Sequence, residues 1–368
     1  MIAADSTQTN SAAVLRPGGS FYYEDRELPV IQSDRDVIVK IIATGLCGSD
    51  VHYWQHGRIG RYVVEKPLIL GHESTGVVVS CGSKAEGIAV GDRVALEPGV
   101  ACNTCQACRR GRYNLCRDMR FAATPPIDGT LCTYYRVPAE CCFKLPAHIS
   151  LSQGALVEPL SVAVHACRLA GDMQTKSVIV FGAGPVGLLC CAVACAFGAS
   201  TVVAVDIVSS RLTVASKYGA THTYQMQDAS PEVNAVDLLR AARVEDGADV
   251  ILDATGAEPC IVCGLHAVAP GGTFIQVGLG RPSVTLPIGQ VCDKEVTVKG
   301  SFRYGPGDFQ TAIGLLDARR VNLDGLVTNE YTFSQVEEAF QNVANRVGIK
   351  SVIYGPGVEA EMANSVAA

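Results

Sequence analysis

The spacing of apolar residues changes character at about residue 176. Between about residues 35 and 145, short β-rich runs separated by Gly and Pro turns predict an all-β region, with strands at 37–42, 76–80 and 93–96. Beyond Lys176, compact apolar runs alternate with several helix-length segments and predict strands at 177–181, 201–205, 250–253, 273–277 and 295–298. This alternation indicates a parallel sheet with crossover helices, and therefore an α/β fold.

Helical signals lie both inside and beyond this alternating region. The apolar run 188–197 is too short to span a bilayer and predicts a buried helix. After Gly300 the pattern predicts helices at about 307–319 and 334–345, the second with Thr332 or Ser334 as its N-cap. The 368 residues exceed what one hydrophobic core usually serves, so we expect two domains.

Composition narrows the functional class. Hydrophobic residues make up 48% and charged residues 18%, which is typical of an ordered globular protein without a membrane span. The net charge is −6 and no basic run tracks a phosphate backbone, so we do not expect nucleic acid as a partner. Residues 1–20 lack the basic start and apolar run of a secretory signal. Many of the sixteen cysteines lie in apolar runs, and a reducing cytoplasm fits them best.

Four cysteines fall close together as C-x2-C-x2-C-x7-C: Cys102, Cys105, Cys108 and Cys116. This spacing predicts one tetrahedral zinc ion with an all-sulfur shell. Such a shell leaves no open coordination position, so we expect this ion to hold a loop, and a reacting metal to lie elsewhere.

A dinucleotide-binding pattern follows the strand predicted at 177–181. It reads G-x-G-x-x-G and consists of Gly182, Ala183, Gly184, Pro185, Val186 and Gly187, directly before the apolar helix. The glycines turn the chain, admit a pyrophosphate and let helix and strand pack. Asp206 lies nineteen residues after Gly187, where a carboxylate accepts hydrogen bonds from the adenosine ribose and repels a 2′-phosphate. NAD is therefore expected rather than NADP, and Arg211 is expected near the adenosine end without neutralising Asp206.

Cys47, His72, Glu73 and Glu158 are each ambiguous when taken singly. In their order with the other motifs, however, the chain resembles the zinc-containing medium-chain alcohol and polyol dehydrogenases from about residue 37 to 353. The motifs are GLCGSDVHYW, GHE, GDRVALEPG, the four-cysteine segment, EPLSVAVH, GAGPVG and GSFRYGPGDF. The resemblance implies a GroES-like β-rich catalytic domain (1–160 and 301–368) and a Rossmann NAD-binding domain (161–300).

The resemblance also implies roles for individual residues. Cys47, His72 and Glu73 would bind a catalytic zinc, with Glu158 beside it or exchanging with its water. Ser49 and His52 would carry a proton toward solvent. Substrate contacts would come from Tyr53, Glu158, Arg303 and Tyr304. Further NAD contacts would come from Val277, Gly278, Leu279, Ser301, Phe302 and Arg303.

Within this family the chain looks most like the sorbitol and xylitol dehydrogenases, since the polyol group has Glu where simple alcohol dehydrogenases commonly have Cys, at Glu158. Residues 122–126 and 300–309 resemble the fungal xylitol dehydrogenases. The expected reaction is oxidation of a polyol secondary alcohol to a ketose with NAD and two zinc ions per subunit, in a cytoplasmic homotetramer. Xylitol is the first candidate, and sorbitol and L-arabinitol stay open. So do a zinc-free quinone or enoyl reductase and a non-enzymatic NAD-binding protein on the same scaffold.

Overall fold

A computed structural model describes residues 9–364. Residues 1–8 belong to the segment 1–20 that we expect to lack a secretory signal, and they lie outside the described residues. The strands are β1 (Asn10–Leu15), β2 (Phe21–Arg26), β3 (Asp36–Gly45), β4 (Arg58–Ile59), β5 (Tyr62–Val63), β6 (Leu68–Ile69), β7 (Glu73–Cys81), β8 (Arg93–Leu96), β9 (Gly99–Val100), β10 (Arg120–Phe121), β11 (Tyr134–Pro138), β12 (Cys142–Lys144), β13 (Ser177–Phe181), β14 (Thr201–Asp206), β15 (His222–Gln225), β16 (Ala248–Asp253), β17 (Val268–Gln276), β18 (Thr297–Gly300), β19 (Val327–Tyr331) and β20 (Lys350–Tyr354).

The α-helices are α1 (Gly48–His56), α2 (Gln106–Arg109), α3 (Leu151–Gly154), α4 (Val157–Ala170), α5 (Pro185–Ala196), α6 (Ser209–Ala215), α7 (Pro231–Ala242), α8 (Glu258–Ala267), α9 (Ile288–Asp293), α10 (Asp308–Asp317), α11 (Val336–Ala344) and α12 (Ala360–Asn364). No helix in the described part of the chain is both long enough and apolar enough to cross a membrane.

The chain forms two compact units. One contains the described residues up to Glu158 and those from Leu323 onward, and the other runs from Pro159 to Asn322. The chain therefore returns to the first unit after Asn322, later than the predicted boundary between residues 300 and 301. The reason is that α10 is tied to α4 inside the second unit, because Arg168 and His165 both bond to Asp308.

The first unit is built on a mainly antiparallel sheet of order β12-β8-β7-β3-β20-β19, with β11 also paired to β3. Strand β3 is almost wholly buried, and its apolar side chains pack with Val78, Val94 and Leu96. Strand β20 pairs antiparallel with β3, so the end of the chain completes a sheet begun near residue 36. The three strands predicted in this region are confirmed as β3, β7 and β8, but the region is not all-β, because helices α1 and α2 lie within it. The fold class is GroES-like in this unit.

The second unit is a six-stranded parallel sheet of order β15-β14-β13-β16-β17-β18. This is the 3-2-1-4-5-6 order of the Rossmann fold, so the predicted parallel sheet with crossover helices is confirmed. Helix α5 is almost entirely buried, as predicted for residues 188–197. Strand β15 was not predicted, because it is an edge strand whose residues are only partly buried and carry no apolar run.

The predicted helices after Gly300 are present with small shifts. The first is α10, and the second begins with a 3-10 turn at Phe333–Gln335 before α11. Of the two predicted N-caps, Thr332 is the one observed, and its backbone N–H donates to Gln335 Oε1 at 3.0 Å. A capping box therefore fixes the start of this helix.

Candidate active site

The four predicted sulfur ligands come together in the first unit, on the segment between β9 and β10. The Sγ atoms are 3.5 Å apart for Cys105 and Cys108, 3.5 Å for Cys102 and Cys116, and 4.0 Å for Cys102 and Cys108. A tetrahedron with Zn–S bonds of about 2.3 Å has edges of about 3.8 Å. The donor atoms and their spacing therefore fit a zinc ion.

Backbone N–H groups donate hydrogen bonds to two of these sulfurs. The N–H of Cys105 points at Cys102 Sγ from 3.3 Å, and that of Cys102 points at Cys116 Sγ from 3.5 Å. Hydrogen bonds from Thr104 and Cys105 lower the pKa of Cys102 to about 6, which favours the thiolate that zinc requires. Burial and hydrogen bonds with the neighbouring cysteine sulfurs raise the pKa of Cys108 to about 12. Interacting thiols of one cluster therefore lose their protons at different pH values.

A second cluster in the same unit contains Cys47, His72 and Glu73, whose ligand atoms all lie within 4.8 Å of one another. Cys47 follows β3 as the N-cap of α1, and Glu73 begins β7 opposite Gly45 of β3. Gly71 has φ +88°, a left-handed conformation that favours glycine and turns the chain into His72. Sulfur, imidazole nitrogen and carboxylate oxygen are all zinc ligands, and three of them leave a fourth position open.

Asp50 organises this cluster. It is 1% exposed, and its Oδ1 accepts from the N–H of Gly71 at 3.1 Å while its Oδ2 accepts from that of Cys47 at 3.1 Å. Asp50 Oδ1 also lies 3.3 Å from His72 Nδ1, which orients the ring and leaves Nε2 for a metal. Burial opposes ionisation of Asp50, but His72 and these N–H groups hold its pKa below the usual value.

Lys350 is the second supporting residue. It is 4% exposed, its ammonium group is in direct contact with the Glu73 carboxylate, and it donates to the carbonyl of Leu46 at 2.9 Å. Burial alone would lower the pKa of Lys350, but the negative charges of Glu73, Cys47 and Glu158 raise it. A fixed positive charge therefore lies beside the cluster.

Both supporting residues were missed by the sequence analysis. Asp50 had a local signal, because it stands three residues after Cys47 at position N3 of α1, where a carboxylate caps a helix. Lys350 had none, because strand pairing brings it to β3 from the far end of the chain.

The other predicted site residues of the first unit differ in their burial and in their relation to the Cys47 cluster. Glu158 is buried in the first turn of α4 but is not a member of the Cys47 cluster, although its charge acts on Lys350. The remaining three lie on α1, where Ser49 is half-buried, His52 exposed and Tyr53 buried.

In the second unit the glycine loop joins β13 to α5. Gly182 has φ +93°, and a Cβ on Gly187 would lie 1.7 Å from the carbonyl oxygen of Gly182, so both positions require glycine. A Cβ on Gly184 would meet nothing within 4 Å, so open space lies at the N-terminus of α5, where Pro185 and Val186 begin the helix. This cradle fits a dinucleotide pyrophosphate.

Asp206 ends β14, the neighbour of β13, and its carboxylate is held in place. Its Oδ2 accepts from the N–H of Ala183 at 2.7 Å, and its Oδ1 accepts from that of Val208 at 2.9 Å. Arg211 Nη1 lies 3.9 Å from Asp206 Oδ2, a long ion pair, whereas the sequence analysis expected Arg211 near the adenosine end without neutralising Asp206.

The remaining predicted cofactor residues follow the carboxyl ends of parallel strands at the same edge of the sheet, the place where such sheets bind ligands. Val277, Gly278 and Leu279 follow β17, and Ser301, Phe302 and Arg303 follow β18. Leu279 and Phe302 are exposed, whereas the predicted substrate residue Tyr304 is buried and packs on Phe309.

Comparison with known proteins gives the same two-part division. Residues 33–147 match the alcohol dehydrogenase GroES-like domain, and residues 185–318 match the zinc-binding dehydrogenase domain. The chain is 50% identical to the probable D-xylulose reductase A of Aspergillus clavatus over 96% of this chain and 99% of that one. It is 49% identical to D-xylulose reductase A of Aspergillus niger, with the same two coverages.

A solved structure shares the architecture. The galactitol-1-phosphate dehydrogenase of Escherichia coli aligns with a TM-score of 0.84 and 30% identity over 93% of this chain and 99% of that one. The family match, the near-complete coverage of the fungal relatives and the zinc-ligand clusters agree. The chain therefore belongs to the zinc-binding medium-chain alcohol and polyol dehydrogenases.

Proposed function

We propose that the protein oxidises a secondary hydroxyl of a polyol to a ketone with NAD and zinc, and that its substrate is xylitol, giving D-xylulose. The observation that carries the reaction class is the Cys47–His72–Glu73 cluster, whose three ligand atoms would leave a tetrahedral zinc one position for substrate, in a chain that also carries an NAD-type loop. The names of the Aspergillus relatives support the pentitol, because reduction of D-xylulose is the same reaction in reverse.

The residues of the first unit would hold the metal and manage the proton. Cys47, His72 and Glu73 would bind the catalytic zinc, which when bound supplies the Lewis acidity that lowers the pKa of a substrate hydroxyl. Glu158, buried near these groups, would accept or relay the hydroxyl proton, and Ser49 and His52 would pass it toward solvent. The exposure of His52 on α1 supports its place at the solvent end of that relay.

The residues of the second unit would hold the cofactor. The glycine loop would cradle the pyrophosphate, Asp206 would bind the adenosine ribose, and segments 277–279 and 301–303 would line the site. Tyr53, Arg303 and Tyr304 would contact the polyol hydroxyls, since a polyhydroxylated substrate needs several polar groups to fix its orientation.

The cofactor assignment has its own test. In Asp206→Ala the charge-assisted hydrogen bond to the ribose is lost, and such a bond is worth about 1.5–3 kcal/mol, so the Kd for NADH should rise by roughly 10- to 100-fold. Affinity for NADPH should hold or improve, because the carboxylate no longer repels a 2′-phosphate. Fluorescence titration with both cofactors measures the change, and equal weakening for both would remove Asp206 from the ribose site.

A substrate panel tests the reaction itself. Zinc-loaded enzyme is assayed for NADH formation with xylitol, sorbitol, L-arabinitol and ethanol, and for the reverse reaction with D-xylulose. We expect the highest kcat/KM with xylitol, and a higher value for another polyol would change the substrate but keep the class. No turnover with any alcohol, together with intact NADH binding, would favour a non-enzymatic NAD-binding protein.

Metal content, assembly and location complete the proposal. We expect two zinc ions per subunit, one in each cluster, and metal analysis of the purified protein separates this from a zinc-free reductase.

The family resemblance supports a homotetramer, which analytical ultracentrifugation tests. All sixteen cysteines are free in the described chain, which supports a reducing cytoplasm.

A further inference from the structure

The segment after β18 has an unusual backbone. It carries the predicted cofactor and substrate residues Ser301 to Tyr304 and leads into α10. Within it Arg303 has φ +56°, in the left-handed region that is unfavourable for a residue with a side chain. Such a conformation persists only where the surrounding structure imposes it.

Two hydrogen bonds fix this segment at its ends. The N–H of Ser301 donates to the carbonyl of Gln276 at 2.8 Å, which ties the first end to β17. The N–H of Gly305 donates to Asp308 Oδ2 at 2.6 Å, which ties the second end to the start of α10. Tyr304 also packs edge-on against Phe309, with ring centroids 4.9 Å apart. Arg303 lies between these anchors.

Asp308 is itself held by α4. It is 2% exposed, and its Oδ1 accepts from the Arg168 guanidinium at 2.6 Å while its Oδ2 lies 2.8 Å from His165 Nδ1. Arg168 also donates to Thr311 Oγ1 at 2.6 Å, which orients the guanidinium. A buried carboxylate is rigidly placed when one oxygen accepts from a guanidinium and the other from a backbone N–H. The proposed reaction assigns no role to this network.

We propose that Asp308 is a positioning residue, which together with His165 and Arg168 sets the backbone of residues 303–305 and so the conformation of Arg303 and Tyr304, two of the proposed polyol contacts. This inference rests on the proposed function, because it takes those two residues as substrate contacts. Of the proposed cofactor residues in this segment, Arg303 lies next to the part held by Asp308, whereas Ser301 is anchored separately through Gln276, so cofactor binding depends less on Asp308 than polyol binding does.

Because the two ends of the segment are anchored separately, a positioning role for Asp308 predicts a larger change in the KM for the polyol than in the KM for NAD. A purely structural role would not separate the two KM values. In Asp308→Asn the side chain keeps its shape, but it has only one acceptor oxygen and cannot serve both Gly305 and Arg168. A shift of about 1 Å in a positioning group costs up to roughly 100-fold in rate, so we expect polyol kcat/KM to fall by roughly 10- to 100-fold, mainly through KM. The KM for NAD should change by less than about 3-fold on the same argument.

Asp249→Asn is the matched control. Asp249 lies in the same unit, and its carboxylate accepts from both the N–H and the hydroxyl of Ser177, at 2.8 and 2.7 Å. It makes the same carboxylate-to-amide change away from the segment, and the remaining oxygen of Asn can still accept from Ser177, so both KM values should stay at the parent level. Equal changes in the two variants would overturn the inference.

Substitutions of His165 separate hydrogen bonding from packing. The amide of His165→Asn can donate from near the position of Nδ1, whereas His165→Leu cannot donate at all. We expect the Asn variant to retain the parent polyol KM and the Leu variant to resemble Asp308→Asn. The same loss in both would show that ring packing, and not the bond to Asp308, is what matters.

Limited proteolysis supplies a readout without turnover. Trypsin cleaves after arginine, so release of the segment in zinc-loaded Asp308→Asn should speed cleavage between Arg303 and Tyr304 several-fold, as followed by mass spectrometry, while Asp249→Asn cleaves at the parent rate. A parent that oxidises no polyol would refute the proposed function, and the cleavage rates would still test the anchoring. An active parent with unchanged cleavage and unchanged KM in Asp308→Asn would overturn this inference alone.

Discussion

The two candidate metal-ligand clusters of the first unit are built in opposite ways. The four sulfurs of the cysteine cluster, Cys102 to Cys116, come from one short segment, and three of the four side chains are partly exposed. The Cys47–His72–Glu73 cluster draws on the end of β3 and the start of β7, and His72 and Glu73 are buried. One cluster is local and near solvent, whereas the other depends on the pairing of distant strands.

The difference in burial explains the difference in supporting groups. In the partly exposed cysteine cluster, the sulfurs of Cys102 and Cys116 accept hydrogen bonds from backbone N–H groups. In the interior, the carboxylate of Glu73 requires a countercharge, which Lys350 provides, and His72 requires an orienting acceptor, which Asp50 provides. A candidate metal site in the interior therefore depends on supporting residues, here Asp50 and Lys350, in addition to its ligands.

Removing a ligand of the buried cluster should have the largest effect on turnover. In Cys47→Ala or His72→Ala the Lewis acid is lost or misplaced, and because it supplies several kcal/mol of transition-state stabilisation, kcat should fall on the order of a thousandfold. NADH binding should persist, because the glycine loop belongs to the other unit. Polyol assays and NADH titration measure both, and undiminished turnover would contradict the metal assignment.

Lys350→Met should have an intermediate effect on turnover, because disturbing a partner of a metal ligand typically costs about 10- to 100-fold in metal affinity or activity. Without metal, the variant leaves the Glu73 carboxylate buried and unpaired, a loss of about 3–5 kcal/mol that should lower the melting temperature on the order of 10 °C. Zinc supplies the missing positive charge, so its addition should raise the melting temperature of Lys350→Met more than that of the parent.

Lys350→Arg keeps the charge and serves as the control for that comparison. Differential scanning fluorimetry of metal-free and zinc-loaded samples of all three proteins gives the melting temperatures. If zinc stabilises parent and Lys350→Met equally, Lys350 does not balance the charge of Glu73.

Cys105→Ala should change turnover least. The bound zinc should fall from two ions to one per subunit while kcat changes by less than a few-fold. A site held at about 100 times its Kd contributes about 2.7 kcal/mol, so the melting temperature should fall by roughly 5–10 °C. Metal analysis, calorimetry and the polyol assay together test this. Loss of turnover with intact stability would mean that the roles of the two clusters are reversed.

The sequence by itself determined the features whose signals are local. The C-x2-C-x2-C-x7-C spacing gathers its sulfurs without help from distant residues, and the Gly182–Gly187 loop is recognisable because strand and helix flank it directly. Apolar runs likewise located most strands of the parallel sheet, since strands covered on both faces are apolar throughout. Strand β15 was missed because an edge strand lacks that requirement.

Only the tertiary structure decided which residues support the site and where the units divide. Lys350 reaches Glu73 through pairing of β20 with β3, and Asp308 reaches Arg168 through packing of α10 beside α4, which moved the division between the units beyond residue 300. Arg211 was likewise found against Asp206 only once β14 and α6 were placed. The interaction of two charges depends on the distance between them in space, and the fold sets that distance. Separation along the sequence does not predict it.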